Sequence, residues 1–291
     1  METREILKKV RQIEIKTRGM VNQIFSGEYH SVFKGRGMAF SEVREYQFGD
    51  DIRTIDWNVS ARFNHPYVKI FEEERELTVM LLVDVSGSGE FGTVQQFKKD
   101  VAAELCAVLA FSALQNNDKV GVIFFSDIIE KFIPPKKGRT HILRIVRELL
   151  DFQPAHRQTN ITEGVRFLTS AIKKRSIAFL ISDFLDKGYD DALKIAAKKH
   201  DLIAVRLYDP REAALSASGL IRALDAESGE ATWIDTSNKI VREQYARWWK
   251  QHDEEREKLF RRSGVDTVDI RIDRSYIQPL IAFFHVREKR W

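Results

Sequence analysis

From Thr78 to Leu207 short apolar runs alternate with segments of helical periodicity, and that alternation limits the chain to a small set of folds. Thr78–Asp84 is a short run of apolar and β-branched residues ending in a turn-rich stretch, the pattern of a strand buried on both faces. Residues 93–115 read as a helix. Thr93 and Gln96 have capping-box spacing, and Phe97, Val101, Leu105, Val108 and Leu109 line one face, with Cys106 beside them as a small core residue. Lys119–Phe125 is a second strand, and 129–133 follows closely enough to pair with it as a hairpin. Helices at 140–150 and 161–173, a strand at 176–181, a helix at 189–199 and a strand at 202–207 continue the alternation. A hairpin at 219–236 turning at Glu227-Ser228-Gly229 comes next, then a charged helix at 239–262, a strand at 267–272 and a short closing helix. Strands separated by helices predict an α/β fold, a doubly wound and mostly parallel sheet with helices on both faces.

Three regions are expected: an N-terminal helix and strand-rich extension at 1–76, the α/β domain at 77–210, and a C-terminal hairpin, helix and strand at 211–291 that complete or decorate the sheet. In the first region Ile6, Val10, Ile13, Met20 or Val21, and Ile24 fall at helical spacing among Lys and Arg. This is either a basic helix for an anionic surface or a helix docked on its own domain. Strand-like pieces follow at 38–40 and 67–71. Asp50, Asp51 and Asp56 lie within one short stretch, which fits a second metal or catalytic site. It fits equally a structural ion-pair network with Arg44, Arg53 and Arg62.

Composition excludes several classes. Hydrophobic residues are 43% and charged residues 31% of the 291-residue chain, so a sizeable core is expected rather than disorder. The formal net charge is +4, from 47 basic and 43 acidic side chains that are interspersed, which argues against nucleic acid as a partner. Cys106 is the single cysteine, so no intrachain disulfide forms. No signal peptide, prenylation box or apolar run of membrane-spanning length is evident. The expected compartment is the cytoplasm, with no integral membrane segment. The triplets Asn58-Val59-Ser60 and Asn160-Ile161-Thr162 are then read as chance or structural.

Chemistry concentrates after the first buried strand, in Asp84-Val85-Ser86-Gly87-Ser88. In an open parallel sheet the loops beyond the carboxyl ends of the strands form the ligand crevice, deepest where the strand order reverses. Asp84 sits at such an end, and so does Asp183 after the fourth strand. In the order 3-2-1-4-5-6 those two strands are neighbours, so both carboxylates would face one crevice. Like charges so close need compensation. Hard oxygen donors, with the Ser86 and Ser88 hydroxyls beside them and no His or Cys near, suit Mg²⁺ or Mn²⁺ rather than zinc. Thr159, just before a helix on the loop expected to close over this end, adds a hydroxyl. Each residue also has a plainer reading. Ser86 and Ser88 fit a turn and helix cap, Asp183 an Asx turn, and Thr159 a helix N-terminus.

Asp84-x-Ser86-x-Ser88, then Thr159, then Asp183 resembles the metal-ion-dependent adhesion site of von Willebrand factor A domains, over about residues 77 to 210. The resemblance implies that Ser86 and Ser88 coordinate Mg²⁺ directly, that Thr159, Asp84 and Asp183 act directly or through water, and that an acidic residue of a protein partner completes the shell. His156-Arg157-Gln158 depart from the glycine common before that threonine. Upstream, Gly37-x-x-Phe40-x-x-x-Arg44-x-Tyr46, Gly49-Asp50-Asp51-x-Arg53-x-Ile55-Asp56-Trp57, Ala61-Arg62 and Lys69-x-Phe71-x-x-Glu74 are similar to a bacterial and archaeal family of unknown function that carries such a domain. Its members are commonly encoded beside MoxR-type AAA+ ATPases.

The function these residues imply is a non-enzymatic interaction module or adaptor, metal-binding and working with a MoxR-type ATPase or its client. The alternatives are a Mg-dependent hydrolase or phosphatase, or a membrane-surface adaptor using the N-terminal basic helix. No nucleophile elbow, His-Glu-x-x-His or phosphate loop is present. His156 is the one histidine placed to act as a base. Tyr245, Trp248, Trp249 and Leu259 on the late helix read either as core packing or as a partner groove.

Overall fold

The computed structural model describes residues 39–72, 77–92 and 97–289. They fall into two compact units, one of the described residues up to Leu77 and one of the described residues from Thr78 onward. The helix expected at 3–25 and the Thr93/Gln96 capping pair lie outside the described residues.

In the smaller unit β1 (Ala39–Glu45) is joined through α1 (Trp57–Phe63) to β2 (Tyr67–Glu72), and the two strands pair antiparallel with Val43 opposite Lys69. Each aspartate grouped in the sequence has its own partner. Asp50 accepts from both terminal guanidinium nitrogens of Arg44, at 2.7 and 2.8 Å. Asp51 caps a 3-10 turn through the Arg53 amide at 3.0 Å. Asp56 caps α1 through the amides of Asn58 and Val59 and faces Lys69 at 3.5 Å. The Arg44 hydrogen bonds hold the Asp50 carboxyl below its usual range, and the Val59 amide does the same for Asp56.

The larger unit runs β3 (Thr78–Asp84), α2 (Lys98–Gln115), β4 (Lys119–Phe125), β5 (Ile129–Lys136), α3 (Arg139–Asp151), α4 (Ile161–Ala171), β6 (Ile177–Ser182), α5 (Asp190–Lys199) and β7 (Asp201–Tyr208). It continues with β8 (Leu220–Leu224), β9 (Ala231–Asp235), α6 (Lys239–Ser263), β10 (Asp266–Arg271) and α7 (Ile277–Glu288). A mixed six-stranded sheet has the order β10-β7-β6-β3-β4-β5. Its neighbours pair parallel except β4 with β5, the hairpin expected from their short connection. β8 and β9 form a separate two-stranded sheet. No helix among the described residues is long and apolar enough to cross a membrane.

The core follows from the continuous apolar strands. Residues 79–83 of β3 are all buried, because their alternate side chains serve two faces. Met80 and Leu82 join Ile123, Phe125 and Leu180 in a cluster covered by Val165 and Leu168 of α4, Leu193 of α5 and Phe260 of α6. Each fully buried Leu of this kind contributes about 2 kcal/mol. α2 departs from the expected one-sided pattern. It starts at Lys98, its cap Phe97 is 47% exposed, and Leu105 through Ala110 are buried all round. At one end of α7 the Tyr276 hydroxyl donates to Glu104 of α2 at 3.1 Å.

β5 crosses β4 with a register shift beside Gly121, between Val120 and Val122. A Cβ at Gly121 would lie 2.9 Å from Pro135 N and 3.0 Å from Ile133 O. An alanine there gains about 0.5–1 kcal/mol of backbone entropy in a strand, yet it meets main-chain atoms that cannot rotate away. Overpacking of about 1–3 kcal/mol therefore wins. Gly121→Ala is expected to lower the urea midpoint of unfolding accordingly, and an unchanged midpoint would refute the contact.

Candidate functional site

Parallel pairing sets β3 beside β6, with Val83 opposite Ile181. The chain therefore delivers Asp84, the last residue of β3, and Asp183, the first after β6, to the same end of the sheet. Ser182 links them. Its hydroxyl donates to Asp84 Oδ2 at 2.6 Å and accepts from the Phe184 amide at 3.1 Å. Phe184 is wholly buried at φ +60°. That conformation costs a bulky residue of order 1–3 kcal/mol and turns the chain sharply just past Asp183.

The turn after β3 is built by its own polar groups. Asp84 Oδ1 accepts from the Ser86 amide at 3.0 Å, and the Ser86 and Ser88 hydroxyls stand 3.1 Å apart. Ser86 is 3% exposed and precedes a 3-10 turn at Gly87–Glu90, but its side chain makes no capping hydrogen bond. Asp183 does make the Asx-type contact, accepting from the Leu185 amide at 3.3 Å. Thr159 does not cap α4. Asn160 does, accepting from the Glu163 amide at 3.1 Å. The loop that carries Thr159 reaches the turn, because the Gly87 amide donates to the Arg157 carbonyl at 2.8 Å. The Thr159 hydroxyl itself donates to Glu227 Oε1 at 2.6 Å. Asp84, Ser86, Ser88 and Asp183 thus come together, and Thr159 is tied to them through a neighbouring backbone and a carboxylate from the β8–β9 turn.

Sequence reasoning missed three groups here. The Lys98 ammonium is buried and donates to Asp183 Oδ2 at 3.0 Å and Glu212 Oε1 at 2.5 Å. Glu212 is held by the capping box that opens the Pro210–Ala213 turn after β7. Glu227 is the third. With the helix expected from residue 93, Lys98 lies past its first turn, and its unfavourable place against the helix dipole shows only in the structure. Asp84, Ser88, Lys98 and Asp183 line a cleft of about 20 Å³, room for a single water-sized occupant. A larger cleft of about 670 Å³ lies between α6, β10 and α7, but Arg256 and Arg287 there pair with Asp253, Asp201 and Asp266.

Electrostatics separates the acids. Burial, and then the charge of Asp183, push the Asp84 carboxyl up to about 7, against hydrogen bonds from Ser182 and Ser86. Burial also raises Glu212 and Glu227, with Asp183 adding to both. Burial alone would lower the Lys98 ammonium, yet Asp183 and Glu212 hold it above its usual value. Lys98 contacts Asp183 and Glu212, whereas the contacts of Asp84 among the described residues are with hydroxyl and amide groups. Among those residues no three His, Cys, Asp or Glu side chains are grouped to hold a metal. Any ion at this end would rest on hydroxyls as much as on carboxylates. His156 turns to Asp127 instead, with Nδ1 3.0 and 3.1 Å from its two carboxylate oxygens, and that hydrogen bond raises its pKa.

Two outcomes follow for the metal-free protein. Lys98→Met leaves Asp183 and Glu212 buried without their cation and is expected to cost about 3–5 kcal/mol, read by urea unfolding. Because the folded carboxyl of Asp84 is raised, its favourable contribution is complete below its ordinary value near 3.8 and is lost as pH climbs through about 7. Unfolding midpoints in EDTA should fall over that window, and Asp84→Asn should flatten the fall.

The family model described as protein of unknown function DUF58 matches residues 42–255. The uncharacterized proteins Rv1480 of Mycobacterium tuberculosis and Mb1516 of Mycobacterium bovis are each 28% identical over 283 residues, covering 96% of this chain and 89% of theirs. Among solved structures, BatB from Bacteroides thetaiotaomicron is similar at 19% identity and TM-score 0.49, over 73% of this chain and 99% of its own. The SpRpn10 VWA domain is similar at 12% identity and TM-score 0.39, over 71% and 94%. With about three quarters of its length matched by that model, the chain belongs to the DUF58 family.

Proposed function

We propose that the larger unit is a non-enzymatic, von Willebrand factor A-type interaction module whose β3/β6 crevice binds one Mg²⁺, or Mn²⁺ in its place. The observation that carries this reading is the pair of Ser86 and Ser88 hydroxyls, hydrogen-bonded to each other at 3.1 Å, beside a half-buried Asp84 that lacks a cationic partner among the described residues. Adjacent oxygens around Mg²⁺ with bonds of 2.0–2.1 Å lie about 3.0 Å apart. The donor set also suits a hard ion, being all oxygen.

In this reading Ser86 and Ser88 bind the ion directly, and Asp84, Asp183 and Thr159 act directly or through water. The ion supplies a positive charge that an acidic side chain of a protein partner can share. Lys98 neutralises Asp183, so the ion is left to answer Asp84. The Ser182 hydroxyl fixes the Asp84 carboxylate in place. By the sequence resemblance the partner is a MoxR-type AAA+ ATPase or its client, met in the cytoplasm.

The test is metal uptake by the full chain after EDTA stripping. Calorimetry should detect one Mg²⁺ site, and Mg²⁺ at about 100 times its Kd should raise stability by about 2.7 kcal/mol. Ser86→Ala with Ser88→Ala should abolish both signals and remove one specific protein from co-purification. Absence of uptake by the unmutated chain would overturn the reading.

A further inference from the structure

β10 is the last strand on its side of the six-stranded sheet among the described residues. The Ile272 amide donates to the Tyr208 carbonyl at 3.1 Å. With a period of two, the main-chain groups of Ile270 and Val268 also turn toward β7, and those of Thr267, Asp269 and Arg271 turn outward. The Arg271 carbonyl accepts a long turn bond from the Arg274 amide, 3.5 Å, and its second lone pair stays available. The cleft of about 670 Å³ runs along this outward edge. One wall is the face of α7 that carries Pro279, Ala282, Phe283 and Val286, and Glu257 and Arg261 of α6 stand on the other side. An open edge between two walls is shaped for one more strand.

Charge decides which strand fits. Asp269 and Arg271 share one face of β10. The Asp269 side chain is 45% exposed and 3.7 Å from Arg256 of α6, and Arg271 is held at the strand end by Asp273 at 2.7 Å. A second β10 can be laid antiparallel with Ile270 opposite its own copy. Asp269 then faces Arg271 of the second copy, two-fold symmetry repeats that pair, and Val268 faces Ile272. The Asp269–Arg271 pairs are also the ones whose outward main-chain groups exchange both hydrogen bonds. Centring the axis on Asp269 would set two carboxylates face to face, and centring it on Val268 would set Arg271 opposite Val265. Edge charges that deter a foreign strand therefore admit a copy.

We propose that this edge is an interface between two copies of the chain, with β10 pairing antiparallel to the β10 of a second copy about a two-fold axis at Ile270. The two six-stranded sheets become one continuous sheet. The apolar walls of the two α7 helices meet across the seam, where Val286, 53% exposed in the single chain, gains cover.

Sedimentation of the full chain in EDTA tests this apart from any metal. The unmutated chain should run as a dimer that dissociates on dilution. Asp269→Arg and Arg271→Asp each set like charges against one another twice across the seam, so each should dimerise about tenfold more weakly or worse. An equimolar mixture of the two variants restores both opposite-charge pairs and should recover the dimer. Asp269→Asn keeps the side chain's shape beside Arg256 and should weaken the dimer in the same direction, which separates loss of the pair from loss of fold. A monomer in the unmutated chain at about 100 μM, well above ordinary micromolar association, would overturn the proposal and leave the edge to a strand of another protein. Folded variants that dimerise as tightly as the unmutated chain, or that stay monomeric when mixed, would overturn it too.

Discussion

The parallel pairing of β3 with β6 brings Asp84 and Asp183 out of the sheet side by side, and the charge concentrated there governs what surrounds it. A buried carboxylate pair is tolerable only if one member is neutral or a cation is near. The fold answers half of this with Lys98, which reaches in from the first turn of α2 and is shared with Glu212. Asp84 receives hydroxyl and amide donors instead. The two acids are thus held in different electrostatic states by neighbours on different elements.

Strain and packing keep the arrangement fixed. Phe184 holds a left-handed backbone while its ring packs edge-on against Phe260 of α6 at 5.0 Å, and His252 Nε2 lies 3.1 Å from its carbonyl oxygen. Helix α6 therefore supports the turn that presents Asp183. Burial of one large ring offsets the backbone cost, since a fully buried aromatic is worth about 2–3 kcal/mol.

Much of this was legible in the chain. The strand pattern followed from apolar runs punctuated by turns, while the neighbouring placement of the first and fourth strands came from the order common to doubly wound sheets, and the six-stranded sheet has β3 beside β6. Asp84 and Asp183 were readable because their strands end at them. What stayed hidden was long-range. Lys98 is one of two adjacent lysines at a helix start, and nothing local says that its ammonium meets residues 183 and 212. Glu227 was read as part of a turn, and a turn glutamate is indistinguishable in sequence from one that only faces water. The one-sided face assigned to α2 failed for a related reason: alanines carry little hydrophobic signal, yet they let neighbours cover the helix on every side.

The antiparallel strand β5 ends one side of the sheet, and it carries Pro134, exposed, and Pro135. Proline offers no amide hydrogen to an incoming strand, so this border resists lengthening by β-augmentation. Growth into fibres or strand-swapped dimers from that border is disfavoured by covalent chemistry rather than by surface charge.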